Sequence, residues 1–349
     1  MISCRKHLED VERVKQDYQT RQDKIRLGMN EYVPAMPQEL FDKIMKGFGP
    51  ELASSYPEVN QAYDALANFL EQPKDRLMIS NGADPAIKMA LETFCNPGDE
   101  VASIVPTFAM YKVHTLLLGA KFREVYCDRE GQNTKDDLLS LVGPQTKVAI
   151  LANPSGVTGF VFSVQDIEDL AKKAAKQDTL VVIDETYADF ADIDVAPLLD
   201  EYSNLVIIRS FSKNIGMAGI RIGYILTSKY LADMIAKLRP MMDVSSLAVR
   251  ALTTICSDKK YLAEAVEEIK SSRSNFANEL KKMNYNIIER GGNFVLINFG
   301  NMRDKVISAL DKNNVEYRAF SQPLDKYIRI TVGTKKVMKI VLDIIKNVK

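Results

Sequence analysis

The sequence LVIIRSFSKNIGMAGIR, residues 205–221, joins a wholly apolar run to a loop rich in polar side chains. The run 205–208 contains only leucine, valine and isoleucine, which is typical of a strand covered on both faces. Ser210, Ser212, Lys213 and Arg221 follow it. Because ligands of open α/β sheets bind at the carboxyl ends of the strands, these side chains are candidates for a binding site.

Two upstream segments repeat this arrangement of an apolar run followed by polar side chains. The run 148–151 leads into NPSGVTG at residues 153–159, and the run 180–183 leads into DETY at residues 184–187. If the three runs are neighbouring strands, an amide, a carboxylate, a phenol, hydroxyls, a lysine and an arginine meet at one sheet edge.

The segment between the first two runs predicts a helix. Residues 165–177 place apolar side chains on one face, and Ser163 followed by Asp166 is a capping signal at the start. Strand, helix and strand in this order predict a right-handed crossover. The fold class is therefore α/β, with a large domain whose mainly parallel central sheet is flanked by helices.

The length and the change of pattern along the chain predict two domains. A chain of 349 residues is too long for one small core. We expect an N-terminal arm (1–35) that joins the small domain, a large domain (36–240) and a small α+β domain (241–349). The small domain is predicted to contain helices and strands in one layer on another, at these positions: helices at 259–282, at 306–310 and from 337 onward, and strands at 287–288, 294–299, near 315–317 and at 327–331.

Composition excludes several classes of partner. Lys+Arg and Asp+Glu both number 46, so net charge predicts neither a nucleic-acid nor a membrane partner. Four dispersed cysteines and two histidines lack metal-ligand spacing, so no metal site is expected. The N-terminus has no apolar signal core, and no apolar run approaches the ~18 residues of a membrane span. These features predict a cytoplasmic protein.

The residues at the predicted sheet edge suit an electron-sink cofactor that is held by a lysine and by an acid facing its pyridinium nitrogen. Asp184 ends an apolar strand, where an unpaired carboxylate is costly and a protonated ring nitrogen would compensate it. Lys213 would attach the cofactor as a Schiff base and, once displaced by substrate, would move a proton. Without its neighbours, Lys213 would instead be read as a solvated surface lysine.

A separate segment predicts a phosphate site. Asn81-Gly82-Ala83-Asp84-Pro85 opens a helical pattern, with Pro85 suited to the first turn and Asp84 to the cap. The N-terminus of a helix offers free N–H groups and a positive dipole end to a phosphate. Ser210, Ser212 and Arg221 could complete this cradle.

With these loops in view, the chain resembles the fold-type-I aminotransferases, and most closely the histidinol-phosphate aminotransferase-like group. The resemblance runs from Asn30-Glu31 to residues 330–334, and its sharpest motif is S-F-S-K-x-x-G-x-A-G-x-R at 210–221. It implies a pyridoxal 5'-phosphate cofactor, a small-molecule amino donor and keto acceptor, and a homodimer with shared active sites.

The resemblance also assigns roles to residues on the cofactor side. It implies that Lys213 is the Schiff-base lysine, that Asp184 pairs with the pyridine nitrogen, and that Asn153 and Tyr187 bind the phenolic oxygen. The remaining implied contacts are the phosphate site (the backbone of Ala83 and Asp84, with Ser210, Ser212 and Arg221), the aromatic residue on the ring (Phe108, with ordinary core as its alternative) and the tyrosine reaching the phosphate across the dimer (Tyr56).

On the substrate side, the resemblance implies that Arg329 receives the substrate's distal anion or carboxylate and that Arg318 is a second phosphate-binding arginine, with a solvent-facing role as its alternative. The loop at 153–159 departs from the usual N-P-N-N-P-T-G of the group by carrying Ser155, Gly156 and Val157.

Three functions therefore stay open. The first is an aminotransferase acting on a small anionic amine or amino acid, with phosphorylated substrates favoured and histidinol phosphate one candidate. The second is a phospho-amino-acid decarboxylase of the threonine-phosphate type, which uses the same cofactor. The third, a remote alternative, is a non-catalytic binding protein that kept the fold.

Overall fold

The computed structural model describes residues 2–9, 11–12 and 21–348 of the chain. Residues 13–20 of the predicted N-terminal arm lie outside the described residues. The strands are β1 (Leu77–Ser80), β2 (Glu100–Val105), β3 (Lys121–Tyr126), β4 (Thr146–Ala152), β5 (Leu180–Asp184), β6 (Leu205–Ser210), β7 (Gly223–Thr227), β8 (Asn286–Glu289), β9 (Phe294–Asn298), β10 (Arg318–Ala319) and β11 (Ile328–Thr331). The α-helices are α1 (Gln38–Met45), α2 (Pro50–Ser54), α3 (Asn60–Leu70), α4 (Ala83–Phe94), α5 (Met110–Leu117), α6 (Lys135–Ser140), α7 (Val164–Ala175), α8 (Lys229–Ala236), α9 (Ser246–Cys256), α10 (Lys259–Lys282), α11 (Arg303–Lys312) and α12 (Lys335–Lys346).

The larger sheet has seven strands in the order β1-β7-β6-β5-β4-β2-β3. All pairs are parallel except those of β7, which runs antiparallel to β1 and β6. The three apolar runs form the neighbouring strands β4, β5 and β6, as predicted, and every residue of β5 is buried. The α/β fold class is confirmed.

Helix α7 shows why local sequence signals located this crossover correctly. Ser163 accepts a hydrogen bond from the backbone N–H of Asp166, whose side chain bonds back to the cap residue. The buried residues Ile167, Leu170, Ala171 and Ala174 form one stripe, which packs against the sheet.

The smaller sheet has four antiparallel strands in the order β10-β11-β9-β8. Helix α10 spans the predicted range 259–282. The strand predicted near 315–317 is wrong in position, since the sheet strand is β10 at Arg318–Ala319. The reason is a competing partner: Ile25 donates from N to the carbonyl of Asn314 (2.9 Å), and its own carbonyl accepts from Glu316 N (2.9 Å).

The N-terminal segment lies against the smaller sheet, because Thr331 N also donates to the carbonyl of Leu27 (2.9 Å). One hydrophobic cluster includes Leu27, Ile183 of the large sheet and Ile330 of the small sheet. The domain boundaries at residues 35 and 240 stay predictions. In the part of the chain that the structure describes, no helix is both long and apolar enough to cross a membrane.

Candidate active site

The loops after β4, β5 and β6 lie side by side because their strands are in register. Ala152 pairs with Asp184, and Asp184 pairs with Ile208. Asn153 N donates to the carbonyl of Asp184 (2.9 Å), which continues the ladder into the loops. On the other side of β6, Ser210 pairs with Gly223 of β7. The predicted polar side chains therefore share one edge.

Asp184 is a buried carboxylate held by neutral donors. Its Oδ1 accepts from Thr186 N (3.0 Å) and Thr186 Oγ1 (2.5 Å), and its Oδ2 accepts from Tyr111 Oη (2.7 Å). Burial raises the pKa of Asp184, while the bonds from Thr186 and Tyr111 oppose that change. A cationic ring nitrogen beside this carboxylate would favour its charged form.

Lys213 lies close enough to Asp184 for the charge of that carboxylate to raise its pKa. Its Nζ donates to the carbonyl of Met29 (2.9 Å), a residue of the N-terminal segment. The loss of hydration, together with the positive charges of Arg329 and Arg221, lowers the pKa of Lys213 to about 8, although the carboxylates of Glu31 and Asp184 oppose the change. Near neutral pH, Lys213 is thus neutral far more often than an ordinary lysine.

Tyr187 and Asn153 stand on the two loops beside Asp184. Tyr187 Oη accepts from Asn30 Nδ2 (2.9 Å), and burial raises the pKa of Tyr187. Asn153 is fully buried, and its side chain holds Phe162 through Nδ2 to O (3.1 Å) and through Phe162 N to Oδ1 (2.9 Å). An amide nitrogen has two hydrogens, so one remains for a further acceptor.

The start of α4 differs from the prediction. The cap residue is Gly82 with φ 92°, and Asp84 is the second residue of the helix, so the prediction that Asp84 caps it is wrong. Ser80 Oγ donates to the carbonyl of Gly82 (3.1 Å) and holds the turn before the helix. The helix therefore begins at Ala83, before the predicted cap residue. The Asp84 carboxylate instead lies 2.8 Å from His114 Nε2. Ala83 and Asp84 keep their N–H groups at the free end of the helix.

The other predicted phosphate ligands are gathered beside this helix end. Ser210 Oγ donates to Ser212 Oγ (2.9 Å), and Arg221 Nη2 donates to the carbonyl of Asn81 (3.1 Å). A Cβ on Gly82 would lie 2.5 Å from Arg221 Nη2, so only glycine lets the guanidinium approach this turn. Hydroxyls, a guanidinium and free N–H groups around one turn fit a phosphate.

The two predicted aromatic residues are both accessible. Phe108 is 44% exposed and meets Tyr111 edge-on at 5.8 Å, so its alternative as an ordinary core residue is wrong. Its neighbour Tyr111 is the residue that donates a hydrogen bond to Asp184. Tyr56 is 80% exposed and lies just beyond α2.

The two arginines predicted on the substrate side occupy paired positions on neighbouring strands, Arg318 on β10 and Arg329 on β11. Arg329 is buried, and its Nη1 and Nη2 donate to the carbonyls of Gly156 (2.6 Å) and Gly28 (3.0 Å). Burial lowers the pKa of Arg329 to about 10, with Arg318 adding a like charge. Arg318 is exposed and lines a cavity of about 510 Å³ together with Arg21 and residues of the N-terminal segment.

Sequence reasoning missed three residues of this site. Tyr111 holds Asp184, Asn30 holds Tyr187, and Gly156 allows the ring of Tyr187 to pack against it. A Cβ on Gly156 would lie 2.7 Å from Tyr187 Cε2. The departure from the usual asparagine at position 156 was the one available signal, since a glycine often marks a close approach.

Comparison with known proteins agrees with this geometry. Residues 22–345 match the family described as aminotransferase class I and II. The histidinol-phosphate aminotransferase of Ruminiclostridium cellulolyticum is 30% identical over 92% of this chain and 91% of its own length. Relatives of that kind favour the aminotransferase over the decarboxylase.

Solved structures share the fold. The histidinol-phosphate aminotransferase of Sinorhizobium meliloti, in complex with pyridoxal-5'-phosphate, superposes with a TM-score of 0.87 at 22% identity and covers 99% of this chain and 98% of its own. That of Clostridium acetobutylicum has a TM-score of 0.83 at 24% identity, with 93% and 98% covered. The chain therefore belongs to the class I and II aminotransferases and is a pyridoxal-phosphate-dependent aminotransferase.

Proposed function

We propose that this aminotransferase takes the amino group from a small phosphorylated amine or amino acid, with histidinol phosphate as the first candidate. The observation that carries the proposal is the pair Arg318 and Arg329, two cationic side chains at paired register positions of β10 and β11, of which Arg318 lines an open cavity. Like charges placed this close favour an anionic ligand, and Arg is well suited to phosphate or carboxylate. The names of the relatives support the choice of candidate.

The cofactor, when bound, supplies an electron sink for the bond changes at the substrate's α-carbon. The proposed role of Asp184 is to hold the ring nitrogen protonated, with Tyr111 and Thr186 keeping the carboxylate in place. Asn153 and Tyr187 would donate to the phenolic oxygen, and Phe108 would cover one face of the ring. The proposed phosphate ligands are the N–H groups of Ala83 and Asp84, the hydroxyls of Ser210 and Ser212, and the guanidinium of Arg221.

Lys213 has two proposed tasks, which are to attach the cofactor and then to move a proton at its Nζ. Both need the neutral amine at some point, and the pKa of about 8 makes that form accessible near neutral pH. The hydrogen bond to the Met29 carbonyl limits the directions in which Nζ can point.

The two arginines would share the substrate's anionic group. Arg329 has two donors bound to backbone carbonyls, and among the described residues its buried Nε has no partner, so the guanidinium is fixed with N–H groups left over. A fixed fork suits an anion near the reacting carbon. Histidinol phosphate carries a single anionic group, so Arg318, which is exposed and lines the cavity, would be a second ligand of the same phosphate.

Matched substrate pairs test this proposal. Amino transfer to a keto acid would be measured for histidinol phosphate against histidinol, and for threonine phosphate against threonine. We expect kcat/KM to be at least ~100-fold higher for the phosphorylated member of the preferred pair. Equal rates within both pairs would contradict a phosphorylated substrate. Release of carbon dioxide without amino transfer would indicate that the enzyme is a decarboxylase instead.

The proposal includes a homodimer with shared active sites. Large apolar side chains are exposed on α2 and its following loop and on the loop before α9: Leu52, Tyr56, Met241 and Met242. The two loops are joined, because Ser246 Oγ donates to the carbonyl of Ser55 (3.2 Å). A patch of this kind on one surface is typical of a protein interface.

Subunit mixing tests the shared sites. Lys213→Ala and Tyr56→Ala subunits, mixed after mild dissociation, would regain activity only if Lys213 and Tyr56 of one site come from different subunits. A monomer in sedimentation velocity would contradict the proposed dimer, and a mixture no more active than its parents would contradict the sharing of its active sites. The proposed location is the cytoplasm, supported by four cysteines that are all free.

A further inference from the structure

Three consecutive residues of the N-terminal segment each contact a different residue of the candidate site. The carbonyl of Gly28 accepts from Arg329, the carbonyl of Met29 accepts from Lys213, and the side chain of Asn30 binds Tyr187. Of these three, Asn30 alone acts through its side chain, and it is 1% exposed. Its identity, and not only its backbone, therefore matters to the site.

The orientation of the Asn30 amide follows from its partners. Thr331 Oγ1 accepts from Asn30 N (3.0 Å), which leaves its single hydrogen for Asn30 Oδ1 (3.2 Å). The other end of the amide faces the carbonyl of Gly156 (3.1 Å), which can only accept. Asn30 Nδ2 must therefore be the end that faces Gly156 and Tyr187.

This orientation fixes the direction of the bond to Tyr187. One hydrogen of Asn30 Nδ2 goes to Gly156, and the other goes to Tyr187 Oη at 2.9 Å. Tyr187 is the acceptor, so its own hydrogen is free to be donated elsewhere. The backbone of Asn30 is held as well, since its carbonyl accepts from Asn293 Nδ2 (3.1 Å).

We infer that Asn30 is a positioning residue, which directs the Tyr187 hydroxyl to donate its hydrogen to the phenolic oxygen of the bound cofactor. This inference rests on the proposed role of Tyr187. The charged groups that face Tyr187 are Arg329 and Asp184. A guanidinium cannot accept a hydrogen bond, and of the residues that the structure describes, the donors to the Asp184 carboxylate are Thr186 and Tyr111. An amide fixed on both sides is thus the group that sets the polarity of this contact.

Loss of the hydrogen bond from Tyr187 would also change the absorbance of the bound cofactor, which can be measured apart from activity. A donor to an oxygen anion stabilises the deprotonated form of the chromophore, so losing it raises the pH at which the visible absorbance of the bound cofactor titrates. Asn30→Gly removes the amide and tolerates the backbone, because Asn30 has φ 57°. Asn30→Asp is the second variant, since a carboxylate would accept the Tyr187 hydrogen and reverse the bond.

The experiment is a pH titration of the holoenzyme absorbance for the parent, Asn30→Gly, Asn30→Asp, Tyr187→Phe and the double variant Tyr187→Phe/Asn30→Gly. We expect upward shifts of the midpoint of about one unit for Tyr187→Phe and about half a unit for Asn30→Gly, and a larger shift for Asn30→Asp than for Asn30→Gly. In the Tyr187→Phe background, Asn30→Gly should add no shift.

Two outcomes overturn the inference in different ways. If Tyr187→Phe shifts the midpoint but Asn30→Gly does not, or shifts it equally in both backgrounds, Asn30 does not act through Tyr187 and the proposed function stands. If Tyr187→Phe itself leaves the midpoint unchanged, the proposed role of Tyr187 fails and the inference fails with it.

Discussion

The proposed cofactor edge (the ends of β4, β5 and β6 with the start of α4) and the proposed substrate side (residues 28–30, Gly156, Arg318 and Arg329) are built differently. At the cofactor edge, Asn153, Asp184 and Ser210 are placed by strand register within one sheet. On the substrate side, chain segments that are far apart in sequence meet through side-chain donors to backbone carbonyls.

The difference shows which parts of a site tolerate change. Strand register is fixed by many apolar contacts, so the cofactor groups keep their places when single loop residues differ. On the substrate side, strand register places Arg318 opposite Arg329, but only a few hydrogen bonds join residues 28–30 and Gly156 to Arg329, and Asn30 and Arg329 both donate to the carbonyl of Gly156. Because Asn30 and Arg329 share one acceptor, we expect a substitution at one of them to change the position of the other.

The largest effect should come from the cofactor edge. Lys213→Ala removes the only group proposed to move the proton, so we expect kcat to fall about 10⁴-fold. Cofactor should still bind without a covalent bond, because the phosphate cradle around Arg221 is separate, and equilibrium dialysis would measure it. Lys172→Ala, at an exposed position of α7, is the control. Turnover like that of the parent would refute the role of Lys213.

The substrate side should show the next largest effect. Arg329→Ala removes a fixed donor for the substrate's anion, so we expect KM to rise about 100-fold, with a smaller rise for Arg318→Ala. Cofactor affinity should change far less. Arg76→Ala, which breaks a surface pair with Asp200, is the matched control. Equal losses of substrate and cofactor affinity would place Arg329 outside the substrate pocket.

The pH dependence of cofactor capture tests the environment of Lys213. The neutral amine is the reactive form, and a pKa of about 8 means that its fraction rises through that pH. Mixed with the cofactor-free protein, pyridoxal phosphate should be captured about tenfold faster at pH 9 than at pH 7, with a plateau above that range. A rate that keeps rising toward pH 10.5 would mean an ordinary lysine.

The smallest effect should come from the contact between the two regions. Gly156→Ala places a Cβ 2.7 Å from Tyr187 Cε2, so the ring must move and kcat/KM should fall about fivefold. Gly143→Ala meets its nearest neighbour, Thr146 Oγ1, at 3.6 Å and is the control. If both variants keep the parent's kcat/KM, Gly156 does not position Tyr187.

What could be predicted from the sequence differs between structure set by local patterns and contacts between distant segments. The three strands and helix α7 could be predicted, because their burial leaves an apolar pattern and a capping box in the local sequence. The contact of Tyr111 with Asp184 spans 73 positions, and that of Asn30 with Tyr187 spans 157, so no local pattern reports them. The strand predicted near 315–317 failed for the same reason, since Ile25 competes for those backbone groups.

One cofactor ring is proposed to lie between Lys213 and Asp184 at the shared sheet edge. Borohydride reduction of the holoenzyme, followed by proteolysis and mass spectrometry, would fix the cofactor on the lysine that carries it. We predict a single modified peptide that contains Lys213, with no label in Lys213→Ala. A label on another lysine of the parent protein would contradict the account.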